Sequence, residues 1–148
     1  MKKRVFSLID ANYNKSTKVS FATIKYRGNE YTAFTKLHEE DKDKESKYAG
    51  CRFAEQKAQI NALKAELRDE KAKCDAIKDY VKSVCQYSNF DKNSPTAKAM
   101  FKQLNTRIKR VNALVDEINQ MIQDYDTDIR QRDVVTAAIQ RKKENENG

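Results

Sequence analysis

From Phe101 to Ile129 an apolar residue recurs at alternating steps of three and four: Phe101, Leu104, Ile108, Val111, Val115, Ile118, Ile122, Tyr125, Ile129. A second series runs Phe53, Ile60, Leu63, Leu67, Cys74, Ile77, Val81, Val84, interrupted by polar Gln56 and Glu70. A seven-residue repeat held this long marks a coiled-coil seam, because each stripe needs a partner helix to cover it. The single proline, Pro95, lies between the two series. The chain therefore reads as a long antiparallel helical hairpin. Ser94-Pro95 starts the second helix, with serine as the cap and proline in the first turn.

The pairing has an expected register. Setting Val84 opposite Phe101 aligns Val81 with Leu104, Ile77 with Ile108 and Cys74 with Val111. The same alignment sets Leu67 by Ile118, Leu63 by Ile122 and Ile60 by Tyr125. The turn then falls at about residues 89–94, and each arm of about 32 residues spans about 48 Å. Lys57, Lys64, Lys71 and Lys78 form a row along one flank, facing Asn105, Asn112, Asn119 and Asp126. Tyr80, Met100, Leu114 and Met121 add an apolar stripe on the other flank, beside Tyr87. Two helices cannot bury that stripe alone, so it is a candidate seam for sheet packing or for self-association.

Residues 1–40 have a different character. Val5–Ile9, Lys18–Tyr26 and Tyr31–Leu37 are β-prone, and Gly28-Asn29 supplies two residues that tolerate the left-handed backbone of a tight hairpin. The expected fold is α+β: a small N-terminal three-stranded antiparallel sheet at 1–40, a charged connector at 41–50 with Gly50 ending it, and the antiparallel coiled-coil helical hairpin at 51–145. A sheet of three strands is marginal alone and must pack on the helices.

Catalytic patterns are missing from the sequence. His38 is the one histidine and lies in a charged stretch, and the three glycines stand apart, so neither a triad nor a phosphate loop can be assembled. Cys51, Cys74 and Cys85 lack metal-ligand spacing, and Cys74 reads as a small core residue. The acidic run Asp124–Asp128 fans around a helix axis instead of converging. These observations predict no enzyme activity, no metal and no cofactor. No segment is apolar enough to span a membrane, and the basic N-terminus lacks the apolar core of a signal peptide, so a cytoplasmic protein with no membrane association is expected.

Charge carries more information. The net charge is +8. Lys82, Lys92, Lys98, Lys102, Arg107, Lys109 and Arg110 face a single acid, Asp91, across the hairpin tip, whereas residues 111–128 hold five acids and no base. With Tyr87 and Phe90 beside it, the tip has the makings of a phosphate-tracking, base-stacking surface, or of a patch steered onto an acidic protein.

In the segment Tyr31–Leu67, a β-hairpin leads into Asp41 and Asp43, then Ser46, Gly50, and a helix carrying Ala54 and Glu55. That order resembles small proteins carried by bacteriophages and mobile elements of Gram-positive bacteria, over about a quarter of the chain. The resemblance implies a bacterial host and a non-enzymatic accessory role, such as an anti-defence inhibitor of the anti-CRISPR type. Many such inhibitors are acidic DNA mimics, and this basic chain departs from that pattern. The expected partner is a host protein, a ribonucleoprotein or a nucleic acid. A general nucleic-acid-binding accessory protein, or a self-associating scaffold that forms a homodimer, is the alternative.

Overall fold

The structure is a computed structural model that describes residues 4–36, 44–87 and 89–147, with side chains for 4–36, 50–87 and 89–131. Three strands, β1 (Ser7–Asn14), β2 (Val19–Tyr26) and β3 (Asn29–Lys36), precede two helices, α1 (Lys44–Cys85) and α2 (Pro95–Asn147). The expected sheet followed by a helical hairpin is the fold of this chain. Residues 1–62 with 120–148 make one compact unit, and residues 63–119 make a second.

In the first unit the strands form an antiparallel sheet in the order β1-β2-β3. The β2–β3 turn is Arg27-Gly28, one residue earlier than expected, with both residues left-handed at φ 51° and 82°. Register decides this: Ala22 sits opposite Ala33 and Ile24 opposite Tyr31, which leaves Tyr26 and Asn29 as the closing pair. The Arg27 guanidinium lies 5.3 Å from the Tyr26 ring centre, a contact that helps offset the strain of a non-glycine residue there. Strand β1 extends to Asn14, beyond the expected Val5–Ile9, because Ala11 and Tyr13 pair with Ala22 and Ser20 despite the polar residues between them. Asn14 closes the β1–β2 loop, its side-chain oxygen accepting from the amides of Ser16 at 2.9 Å and Thr17 at 3.3 Å.

The inward face of β2, made of Ser20, Ala22, Ile24 and Tyr26, is buried. On α1, Gly50, Ala54, Ala58 and Ala62 are buried at steps of four, on the side away from the apolar seam. Small residues in such a row let another layer approach the helix backbone closely. Two hydrogen bonds place β3 at this row: Thr35 Oγ1 donates to the Gly50 carbonyl at 2.9 Å, and Lys57 Nζ donates to the Phe34 carbonyl at 3.1 Å. Gly50 is therefore an interior packing position of α1, which begins at Lys44, and does not end a connector. Residues 41–43 of that connector, with His38, lie outside the described residues, as does the side chain of Ser46.

In the second unit α1 ends at Cys85 and α2 starts at Pro95. Ser94 caps α2 as expected, its hydroxyl accepting from the Ala97 amide at 3.2 Å. Leu63, Cys74, Val81, Ala97, Leu114 and Ile118 are the buried apolar residues here. Full burial of a leucine such as Leu63 contributes about 1.5–3 kcal/mol. The polar seam position Glu70 meets Arg107 Nη1 at 3.3 Å, with the two side chains only 17% and 26% exposed. In the first unit the other polar seam position, Gln56, donates through Nε2 to Asp128 at 2.8 Å.

Two of the contacts depart from the expected register by one heptad, whereas Gln56 meets Asp128 beside Ile129, where that register places it. Tyr125 stands edge-on to Phe53 with ring centres 6.0 Å apart, where the sequence placed it opposite Ile60. Within the second unit, Glu70 reaches the residue preceding Ile108 and not the Val115 layer. Ala97, 2% exposed, extends the buried stripe of α2 one step before Phe101. A methyl carries little hydropathy weight, so that step is faint in the sequence.

Two outcomes are expected. With the native cysteines replaced by alanine, Val81→Cys with Ala97→Cys should oxidise to an intramolecular disulfide on a non-reducing gel, whereas Val84→Cys with Phe101→Cys should not; the reverse result would restore the first register. Tyr125 titrates above the usual tyrosine value, first because burial disfavours its phenolate and second because Asp126 repels it. A folded state that holds its proton more tightly loses stability once pH rises past about 10, where the unfolded tyrosine ionises. The urea midpoint should therefore fall more between pH 8 and pH 10.5 for the native protein than for Tyr125→Phe, and equal falls would refute the assignment.

Candidate functional site

The heptad positions a to g sort the side chains of the second unit. On α1 the seam takes Leu67, Cys74 and Val81 at a, with Leu63, Glu70, Ile77 and Val84 at d. On α2 it takes Phe101, Ile108 and Val115 at a, with Ala97, Leu104, Val111 and Ile118 at d. Positions e and b follow the seam on one side of each helix, and antiparallel pairing brings the two e sides together. On that side α1 carries Lys64, Lys71 and Lys78 at e with Arg68 and Lys82 at b, while α2 carries Lys98 at e with Lys102 and Lys109 at b. All eight are exposed. Asp75 and Asp116, both at b, are the acids among them, and Asn105 and Asn112 add neutral hydrogen-bonding groups at e. From Lys64 to Lys82 this strip runs about 27 Å at 1.5 Å per residue.

Side-chain geometry agrees with this division. Glu70 and Arg107 meet on the opposite side, through positions d and g, so that ion pair does not neutralise the strip. Position c adds Arg110 on the outer face of α2. There, Ala99, Lys102, Gln103, Thr106, Arg107 and Arg110 line an open groove of about 360 Å³. Three cations and a hydroxyl around so shallow a depression suit a phosphate or carboxylate better than an apolar ligand.

The residues singled out from the sequence separate into distinct roles. Lys82, Lys98, Lys102 and Lys109 lie together on the strip; Arg110 lies on the groove, and Lys92 is exposed in the tip turn. Arg107 does not stand free, because it is held by Glu70. The Phe90 ring packs edge-on against Phe101, centres 6.4 Å apart. Tyr87 is 66% exposed in the turn, and Tyr80 is 63% exposed at position g, away from the strip. Along the apolar stripe Leu114 is only 4% exposed, while Met100 and Met121 are half-buried. Gly50 and Lys57 of α1 bond Thr35 and Phe34 of β3.

Lys64, Arg68, Lys71 and Lys78 were missed as members of the site. Their row was visible in the sequence, but the charge count stopped at Lys82, and only the antiparallel pairing joins them to the cations of α2. Among the described residues no group of three or more His, Cys, Asp or Glu is placed to hold a metal ion. Asp124 and Asp128 accept instead from Gln120 and Gln56. No described helix is long and apolar enough to cross a membrane. Comparison of the chain with protein-family models, curated proteins and solved structures finds no match.

Arg107 and Lys102 should behave differently when truncated. Arg107→Ala leaves Glu70 unpaired at a seam position and should lower unfolding free energy by about 1 kcal/mol or more, whereas Lys102→Ala should change it by less than about 0.5 kcal/mol. Urea denaturation monitored by helical circular dichroism checks both.

Proposed function

We propose that this protein is a non-enzymatic binding protein whose hairpin engages a polyanion, either a nucleic acid or a nucleoprotein of a bacterial host. The observation that carries this reading is the strip of eight exposed cations on one side of the 63–119 unit. Like charges held together on rigid helices repel one another, and a polyanion relieves that repulsion while its condensed counterions are released. Helices fix the spacing of the lysines, so little backbone ordering is needed on binding. Solvation of an exposed surface alone would be served equally well by mixed charge, as at positions c, f and g of the same α1 segment, where Asp69, Asp79 and Lys73 are exposed.

The setting implied by the Tyr31–Leu67 resemblance is a phage or mobile element, and within it such a binder would act as an anti-defence inhibitor or as an accessory protein of element replication. Either role needs occupancy of a charged surface and no chemistry. Capture of host material separates the two: an inhibitor retains one ribonucleoprotein after nuclease treatment, and a general accessory protein retains only nucleic acid that nuclease removes.

Reversing Lys71, Lys98 and Lys109 to glutamate should weaken binding to a labelled DNA hairpin by about a hundredfold or more in low salt, because three phosphate contacts are lost and repulsion is added. Helical circular dichroism should be unchanged, since all three side chains are exposed. The control reversal of Lys73, on the other shoulder, should cost far less. Equal affinity for the native protein and the triple variant would exclude the strip.

A further inference from the structure

We infer that the nucleic acid this strip takes is a duplex, held through its phosphate backbone, and not a single strand. The inference rests on the polyanion reading above and adds what the side chains between the cations are. Single strands are held without sequence preference by a basic track combined with aromatic faces on which successive bases stack. The strip has the first and lacks the second. Its e and b positions carry lysine, arginine, asparagine and aspartate and no aromatic residue. Of the aromatics near the tip, Phe90 is turned against Phe101, Tyr80 lies on the far side of α1, and exposed Tyr87 lies past the end of α1, outside the e and b rows. A base unstacked over this surface would find no face to replace the one it left.

A duplex asks for nothing of that kind. Its bases remain stacked, and it presents about one negative charge per 1.7 Å of axis, denser than a single strand, so each lysine releases more counterion from it. The asparagines Asn105 and Asn112, set between the cations of the e row, supply neutral amides of the type that bond phosphate and sugar oxygens and set position without reading sequence. A strip of about 27 Å covers about eight base pairs at 3.4 Å per step.

Binding of the full chain to three labelled probes tests this: a DNA duplex and an RNA duplex of about twice the strip's length, and an oligothymidylate of equal length. Fluorescence anisotropy is read between about 50 mM and 200 mM salt, the range over which six or more phosphate contacts cost about a thousandfold in affinity. The expected result is that at least one duplex binds about tenfold or more tighter than oligothymidylate, with that steep salt loss. Replacing Tyr80 and Tyr87 by alanine should leave duplex affinity within about twofold, as neither ring stacks on a base. Oligothymidylate binding as tightly as both duplexes, and weakened by the tyrosine replacements, would overturn the duplex assignment and leave the polyanion reading intact. Absence of binding to all three probes at low salt would overturn both.

Discussion

One constraint organises this molecule: two helices share a single apolar stripe and neither can bury it alone. Isolated helices of this polarity gain too little from their own hydrogen bonds to persist in water, so the stability of α1 and α2 comes from the seam. The two polar interruptions on α1 are absorbed by it. Gln56 and Glu70 each reach a g-position residue of α2, Asp128 and Arg107. Such pairs add little net stability, because desolvation offsets attraction. They do penalise a slipped alignment, since a slip strands a polar group among apolar neighbours. A hairpin built on a seven-residue repeat has several nearly equivalent registers, and a polar group that must find a polar partner makes them unequal.

The back of α1 shows how a single helix can serve two environments. In its first turns the positions away from the seam are Gly50, Ala54, Ala58 and Ala62, and all are buried. Farther along, comparable positions are Arg68, Asp75 and Asp79, and all are exposed. The change from alanine to charge marks where a covering layer is present and where water takes over. It also accounts for the sheet's composition. Ala22, Ala33 and Ser20 on the inner face are small because a helix lined with methyls brings two backbones close together.

The helices, the turn near Pro95 and the serine cap were legible because each has a strong local signal. The sheet was legible in outline, yet β1 was placed too early: Asp10, Asn12 and Asn14 weigh against a strand, and only pairing with β2 makes them one. The buried stripe of α2 begins earlier than expected for a related reason. Ala97 contributes almost nothing to a hydropathy pattern, although its methyl is buried. For the site, the charges were countable from sequence but their grouping was not. Lys71 and Lys109 lie far apart in the chain and become neighbours of one surface only through antiparallel pairing, while Arg107, central to the charge count, is taken by Glu70.

The cation row of α1 repeats with the same period as the apolar seam beneath it. Length and affinity are for that reason tied to a common unit. Inserting or removing one heptad in both arms would change the reach of the hairpin by about 10.5 Å and the number of cations by two or three, while every remaining layer kept its partner. The turn, the cap and the sheet would be untouched. The size of the footprint is thus a quantised property that can be lengthened or trimmed in whole steps, without redesign of the fold that carries it.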